Sequence, residues 1–327
     1  MRQTIETVKQ WVKRQWKRLT APDNRWMTVP VAAATLLVLL LAVKSCQGIV
    51  FFHGVEGRLC RTGYTLQEAH ALASALNKAQ IDSLITRQGY DTIAYPLVTD
   101  RYFIADNFER YLACHKSDTL GNAADVIAMV NVGADRLWRD SVPCDTSRGE
   151  LMLINRRHYL NEHYKDTTMV DFKKHYAFGK NMATKAVTEA FYRMRTDCIQ
   201  QTNAHLMVSS SYRSYSEQQD THKQYSKQLV AQAGHSEHQT GLSLDIVSLE
   251  HLEKWAFGES IEGIWMRENC HKYGFILRYP KGKERITGYG YEPWHLRYVG
   301  IETATRLYNE GITLDEYHAY YIERERK

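Results

Sequence analysis

The stretch that most limits what this chain can fold into is MTVPVAAATLLVLLLAV, Met27–Val43, seventeen residues without a charge. A run of that length is at the short end of what spans a bilayer as a helix, and it is longer and richer in leucine than most secretory leader cores. Residues 1–26 before it carry seven Lys/Arg against two Asp/Glu, a bias that holds such a head in the cytoplasm. We read residues 1–26 as a basic cytoplasmic head, 27–43 as a single-pass transmembrane anchor, and everything beyond as exported. A buried core helix is the weaker alternative, because Pro30 and the basic flank suit entry into a membrane. Cleavage behind the run stays open. Lys44, two residues before Cys46, stands where a lipoprotein signal wants a small residue, which argues against lipidation of Cys46.

Of the 42 Lys/Arg and 37 Asp/Glu, those nine lie in the head, so beyond it the two signs balance at 35 each. No basic stripe remains to follow a phosphate backbone, and nucleic acid is excluded as a partner. A chain of 327 residues that is 44% hydrophobic can bury a substantial core as one large domain or two smaller ones. The six cysteines, at 46, 60, 114, 144, 198 and 270, form no C-x-x-C pair and match neither a zinc ribbon nor a redox motif. In an oxidising compartment some of them could be bridged; buried free thiols are an equal alternative.

The exported part divides into residues 44–172 and 173–327. The first reads as mainly helical: Thr65 and Glu68 form a capping box ahead of an amphipathic run, and ADVIAMVNVG is apolar up to Gly133. Nothing in it assembles a catalytic constellation, so a packing or substrate-presenting role is expected. In the second, Ala183, Val187, Ala190, Phe191, Met194 and Cys198 recur at helical spacing. Leu206–Val208 reads as a short strand running into a polar turn, then a helix capped by Ser216 with Gln219 three residues on. Arg213 and Gln218 thereby fall at a strand end and a helix start, positions that suit capture of an anion.

SEHQTGLSLDIV, residues 236–247, sets His238 and Asp245 seven positions apart across a Gly241 turn. Leu242, Leu244 and Ile246 alternate with Ser243, Asp245 and Val247, so a strand turns Asp245 away from the apolar face, into space that His238 can share. A third ligand comes from GYGYEPWHLRYVG, where Glu292 and His295 flank a Pro293 turn. Two histidines and an aspartate leave a fourth zinc position open, as catalytic sites do. Glu292, outside that set, would act as general base and acid. On spacing alone His235 competes with His238 as the ligand.

SSYRSYSEQQ, SEHQTGLSLDIV and YGFILRYPKGKERITGYGYEPWHLRYVG together resemble the VanY-type D-alanyl-D-alanine carboxypeptidases, zinc peptidases of bacterial cell-wall peptides. The likeness runs over about residues 175–300, and VNVGADRLW and LMLINRRHYL resemble the segment ahead of the peptidase domain. The resemblance implies Zn²⁺ held by His238, Asp245 and His295, with Glu292 as catalytic base. It implies Arg213 and Gln218, with Ser236 nearby, as contacts to the substrate's terminal carboxylate and peptide. It implies an α+β fold, a small antiparallel sheet with packed helices and a zinc groove, and peptidoglycan stem peptides as partners. A membrane anchor fits an enzyme working outside the cytoplasmic membrane, in the periplasm or wall. One departure is Ala233-Gly234, where relatives often have Pro-Gly.

Removal of the last D-Ala of a pentapeptide is the favoured activity. An L,D-carboxypeptidase acting on tetrapeptides presents the same free D-Ala carboxylate to Arg213, and a cell-wall endopeptidase would differ by an open groove past it. A zinc-containing binding module without catalysis would have no need of Glu292 or Arg213. An iron oxygenase also uses two histidines and a carboxylate, but its cosubstrates are cytosolic.

Overall fold

In a computed structural model, the described residues are 53–323 without residue 88 and the segments 118–121, 137–140 and 225–229, together with residues 10, 13, 14 and 37–44. Residues 37–44 are helical, with Leu37 to Leu41 and Val43 exposed. The rest of the expected anchor, most of the basic head, and Cys46 lie outside the described residues. Among the described residues no helix is long and apolar enough to cross a membrane.

Two compact units divide the chain, Met1–Thr99 and Asp100–Lys327. From residue 53 on, the described residues of the first form α1 (Val55–Arg61), α2 (Leu66–Ala75), α3 (Lys78–Thr86) and α4 (Ala94–Thr99). The capping box expected ahead of α2 is present: Thr65 N donates to Glu68 Oε2 at 2.8 Å and Glu68 N to Thr65 Oγ1 at 3.3 Å. Asn77 and Gln80 do the same for α3. One apolar residue from each helix, Leu59, Leu72, Leu84 and Leu97, is fully or almost fully buried.

The second unit opens with α5 (Phe108–Ser117) and α6 (Ala123–Asn131), then two short ladders, β1 (Val142–Pro143) with β2 (His158–Tyr159) and β3 (Met169–Asp171) with β4 (Met182–Thr184). Next comes α7 (Lys185–Thr202). Ala183 belongs to β4 rather than to this helix, which starts after Thr184, whose Oγ1 accepts from Val187 N. The remaining positions of the expected face, Val187, Ala190, Phe191, Met194 and Cys198, are all buried.

There follow β5 (Leu206–Ser210), α8 (Tyr215–Gln224), β6 (Ser243–Ser248), α9 (Lys254–Glu259), α10 (Ile261–Asn269), β7 (Phe275–Leu277), α11 (Glu284–Thr287), β8 (His295–Tyr298), α12 (Ile301–Glu310) and α13 (Leu314–Tyr317). The four strands form one antiparallel sheet in the order β5-β6-β8-β7, the small sheet of the expected α+β fold. Its two faces have different chemistry. Leu206, Val208, Leu244, Ile246, Leu296 and Phe275 share one core with the apolar side of α7 and with Phe257, Trp265 and Met266. The period of two puts Ser243, Asp245, His295 and Arg297 on the other face, along with Ile276, which packs against Val299, Ala304, Leu307 and Leu314.

The cap of helix α8 lies two residues before the expected Ser216. Arg213 N donates to the His238 carbonyl and Tyr212 N to Met182, which holds the chain extended through 213. The reciprocal cap is then Ser214 with Glu217: Glu217 Oε2 accepts from Ser214 N at 2.8 Å, and Ser214 Oγ from Glu217 N at 3.3 Å. Among the described residues, Cys60, Cys114, Cys144, Cys198 and Cys270 form no disulfide. Burial pushes the Cys198 thiol up to about 11 and Cys270 to about 12, as in inert core cysteines.

Candidate functional site

The register of the sheet builds the site. Asp245 of β6 lies directly opposite His295, the first residue of β8, and opposite Ser210 at the end of β5. His238 stands on the single 3₁₀ turn Glu237–Thr240 that leads into β6. Its Nδ1 donates to the Ser211 carbonyl at 2.6 Å, which fixes the tautomer and leaves Nε2 to face Asp245 Oδ1 at 3.4 Å. His295 presents Nδ1 to the same oxygen at 3.0 Å. One donor atom from each of the three buried residues lies within 4.8 Å of the others. The imidazole planes are nearly perpendicular, at 83°, so the donors converge from different directions.

Glu292 is beside this group, with Oε2 3.7 Å from His295 Nδ1. The turn before β8 holds it there: Glu292 N donates to the Tyr279 carbonyl, and His295 N to the Glu292 carbonyl. Burial raises the Glu292 carboxyl above the ordinary glutamate value; His295 opposes the rise and Asp245 adds to it. Such a carboxyl exchanges protons more readily near neutrality than an exposed one.

Arg213, Gln218, Ser236, His238, Asp245, Glu292 and His295 all line one pocket of about 270 Å³. Burial lowers Arg213 from the ordinary arginine value, with Asp245, Glu217 and Glu292 acting in the opposite sense. Gln218 is 1% exposed; its Nε2 donates to the Ala231 carbonyl at 2.7 Å, and its Oε1 is buried without a donor. His235 is turned away, Nδ1 bonded to the Asn155 carbonyl at 2.8 Å. The Gly234 next to it has φ +85°, and a Cβ there would stand 2.7 Å from the Leu160 carbonyl oxygen, so the second residue of Ala233-Gly234 needs to be glycine.

A family model for VanY, D-alanyl-D-alanine carboxypeptidase, matches residues 180–301. The solved LdcB LD-carboxypeptidase is 34% identical, covering 55% of this chain and 90% of that one with a TM-score of 0.51. The chain belongs to the VanY family. A D-alanyl-D-alanine carboxypeptidase of Enterococcus faecium is 34% identical over 185 residues, 54% of this chain and 59% of that protein. YodJ of Bacillus subtilis is 38% identical over 181 residues, 51% and 66% respectively. The chain thus spans less than two thirds of the length of these curated relatives.

Several residues of this VanY-family pocket escape a reading of the sequence. Lys254, the first residue of α9, reaches Asp245 Oδ2 at 2.7 Å and lies over the Trp294 ring at 5.1 Å. Tyr279 packs its ring 5.0 Å from that of His295. Beneath the site, Glu237 Oε1 accepts from Arg278 Nε at 2.8 Å and from Arg297 Nη1 at 2.7 Å, and Arg278 Nη1 donates to Asp315 at 2.6 Å. All four of these charged groups are 0–2% exposed. The available signal was an arginine between apolar neighbours in FILRYP and HLRYVG, where a surface strand would put the charge in water.

Proposed function

We propose that this chain is a zinc carboxypeptidase that removes the C-terminal D-alanine from peptidoglycan stem peptides, with the D-Ala-D-Ala bond of pentapeptides as its substrate. The observation that carries this is the convergence of the His238–Asp245–His295 donors, Glu292, Arg213 and Gln218 on one pocket. Two imidazole nitrogens and one carboxylate oxygen suit Zn²⁺ with a position left for water. Zinc bound there lowers the pKa of its water from 15.7 to about 7, roughly 12 kcal/mol at about 1.36 kcal/mol per unit.

The chain's own residues account for the rest. Glu292, beside the ligand set, takes a proton from the attacking water and delivers it to the leaving amine. Arg213 grips the terminal carboxylate through two parallel N–H donors, selecting a free C-terminus. The orphan Gln218 Oε1 is an acceptor for a substrate N–H. Ser236 adds a hydroxyl to the same wall.

A second reading, cleavage of a tetrapeptide's L,D bond, is favoured by the likeness to the LdcB LD-carboxypeptidase. Offering the purified chain synthetic pentapeptide and tetrapeptide and weighing the products separates the two. Loss of one alanine from the pentapeptide alone supports the D,D reading, and loss from the tetrapeptide alone replaces it. We also propose that residues 27–43 anchor the chain in the cytoplasmic membrane with the catalytic domain outside. The charge-free run and its basic flank support this. In membrane fractions of expressing cells, sealed spheroplasts should expose residues 100–323 to added protease, and protection would reverse the orientation.

A further inference from the structure

We propose that Glu237 is a positioning residue for His295: its carboxylate accepts the His295 Nε2–H when Nδ1 is given to the metal. This rests on the reading of His238, Asp245 and His295 as ligands. His295 turns Nδ1 toward Asp245, while its Nε2 is buried without a hydrogen-bond partner. The nearest carboxylate oxygen to that orphan nitrogen is Glu237 Oε2, at 3.6 Å. An imidazole that commits its Nδ1 lone pair to a cation keeps its proton on Nε2. Metal binding therefore creates a donor directly in front of Glu237, and a shift of about 0.7 Å brings the pair to the ordinary hydrogen-bond length.

Glu237 can serve that task while holding two buried guanidiniums. Its Oε1 is taken by two guanidiniums, Arg278 and Arg297, while among the described residues Oε2 receives Ser243 Oγ alone, at 3.2 Å, and has a lone pair left over. The two arginines keep the carboxylate charged, so it orients the imidazolium-like N–H and raises the ligand's basicity without removing the proton. His238 has a weaker arrangement, its second nitrogen bonded to the neutral Ser211 carbonyl. The two imidazoles are thus unequal ligands, with His295 the more strongly polarised. Glu237 is held in turn from outside the span that the family model matches: Arg278 is braced by Asp315, and Arg297 Nη2 donates to the Glu150 and Met152 carbonyls.

The test compares the full-length parent with Glu237→Gln and Asp315→Asn, each shown folded by circular dichroism, in competition for zinc with a chromophoric chelator. Loss of an outer carboxylate of this kind weakens metal binding by about 10- to 100-fold, and that is expected for Glu237→Gln. Asp315→Asn removes a charge from the same cluster without facing His295, so it should lower the melting temperature and leave zinc affinity within about threefold of the parent. A folded Glu237→Gln protein with parental affinity overturns the proposal, as does an equal loss in both variants, which would mark the cluster as merely structural. Should Glu237→Gln fail to fold, ¹⁵N imidazole spectra of the parent decide. Zinc should convert His295 to the Nε2–H tautomer with a slowly exchanging proton, and a proton found on Nδ1 instead would refute the assignment. Zinc affinity that survives His295→Ala brings down the ligand set itself, a failure distinct from one confined to Glu237.

Discussion

His238 and His235 are three residues apart, yet their side chains have opposite fates, because the 3₁₀ turn at Glu237–Thr240 points one at Asp245 and leaves the other on the Asn155 carbonyl. His238→Ala should therefore abolish tight zinc binding while His235→Ala retains about one zinc per chain, as metal analysis after gel filtration would read. The reverse pattern would exchange the two assignments. Arg213 supports a second prediction. Charge-assisted bonds to a carboxylate contribute about 1.5–3 kcal/mol, so Arg213→Lys, which keeps the charge but not the fork, should lose about 10- to 100-fold in kcat/KM. Amidating the terminal D-Ala should cost the parent about as much and the variant little further, because both changes remove one interaction. Equal cleavage of free and amidated peptide by the parent would favour an endopeptidase. Turn and alternation marked Asp245, Glu292 and His295 as neighbours of one space at this scale, but spacing did not separate His238 from His235, and the resemblance chose between them. Glu237, Arg278, Arg297 and Lys254 were not, since a charged residue reads as solvated until its burial is seen.

Among the elements, the segment around Pro293 decides where Glu292 sits, and α9 supports it from behind. Gly258, in α9, lets the two approach: a Cβ there would lie 2.4 Å from Pro293 Cγ and 2.6 Å from its Cβ. Gly258→Ala gains about 0.8–1.0 kcal/mol in helix propensity. It nonetheless should displace the Glu292 turn, and misplacement by about 1 Å can lower turnover on the order of 100-fold. A variant with parental kcat on pentapeptide would show that the turn tolerates the shift. Two strands of the sheet were legible: an apolar run marked Leu206–Val208, which β5 extends by two residues, and alternation marked 242–247, found in β6, whereas β7 and β8 were not read. Both faces of β6 are buried, however, which hid the second core formed by Ile276, Val299 and α12. The cap of α8 was misplaced because SxxE at 214 and SxxQ at 216 overlap. Only the long-range bonds of Tyr212 and Arg213 choose between them.

On the scale of the molecule, the C-terminal elements close over the segment that precedes the matched family region. His318 Nε2 donates to the Leu151 carbonyl at 2.6 Å, and burial lowers its pKa to about 3; burial and Arg157 lower His158 to about 4. Above about pH 6.5 neither histidine is charged in either state. Between there and about pH 4 the unfolded chain takes up protons that the folded one refuses, so each group removes about 1.36 kcal/mol of stability per pH unit. Thermal melts should fall from pH 7 to pH 5, and His318→Asn should flatten that fall; an unchanged slope would mean the histidine protonates in place. Whether this pocket hydrolyses a peptide or merely holds zinc is decided by assaying D-alanine release from pentapeptide and bound zinc on the same samples of parent and Glu292→Ala. Because Glu292 is outside the ligand set, the variant should keep about one zinc per chain while release falls by about 10²- to 10⁴-fold. Parental release from Glu292→Ala, with zinc still bound, would show that Glu292 moves no proton in the reaction.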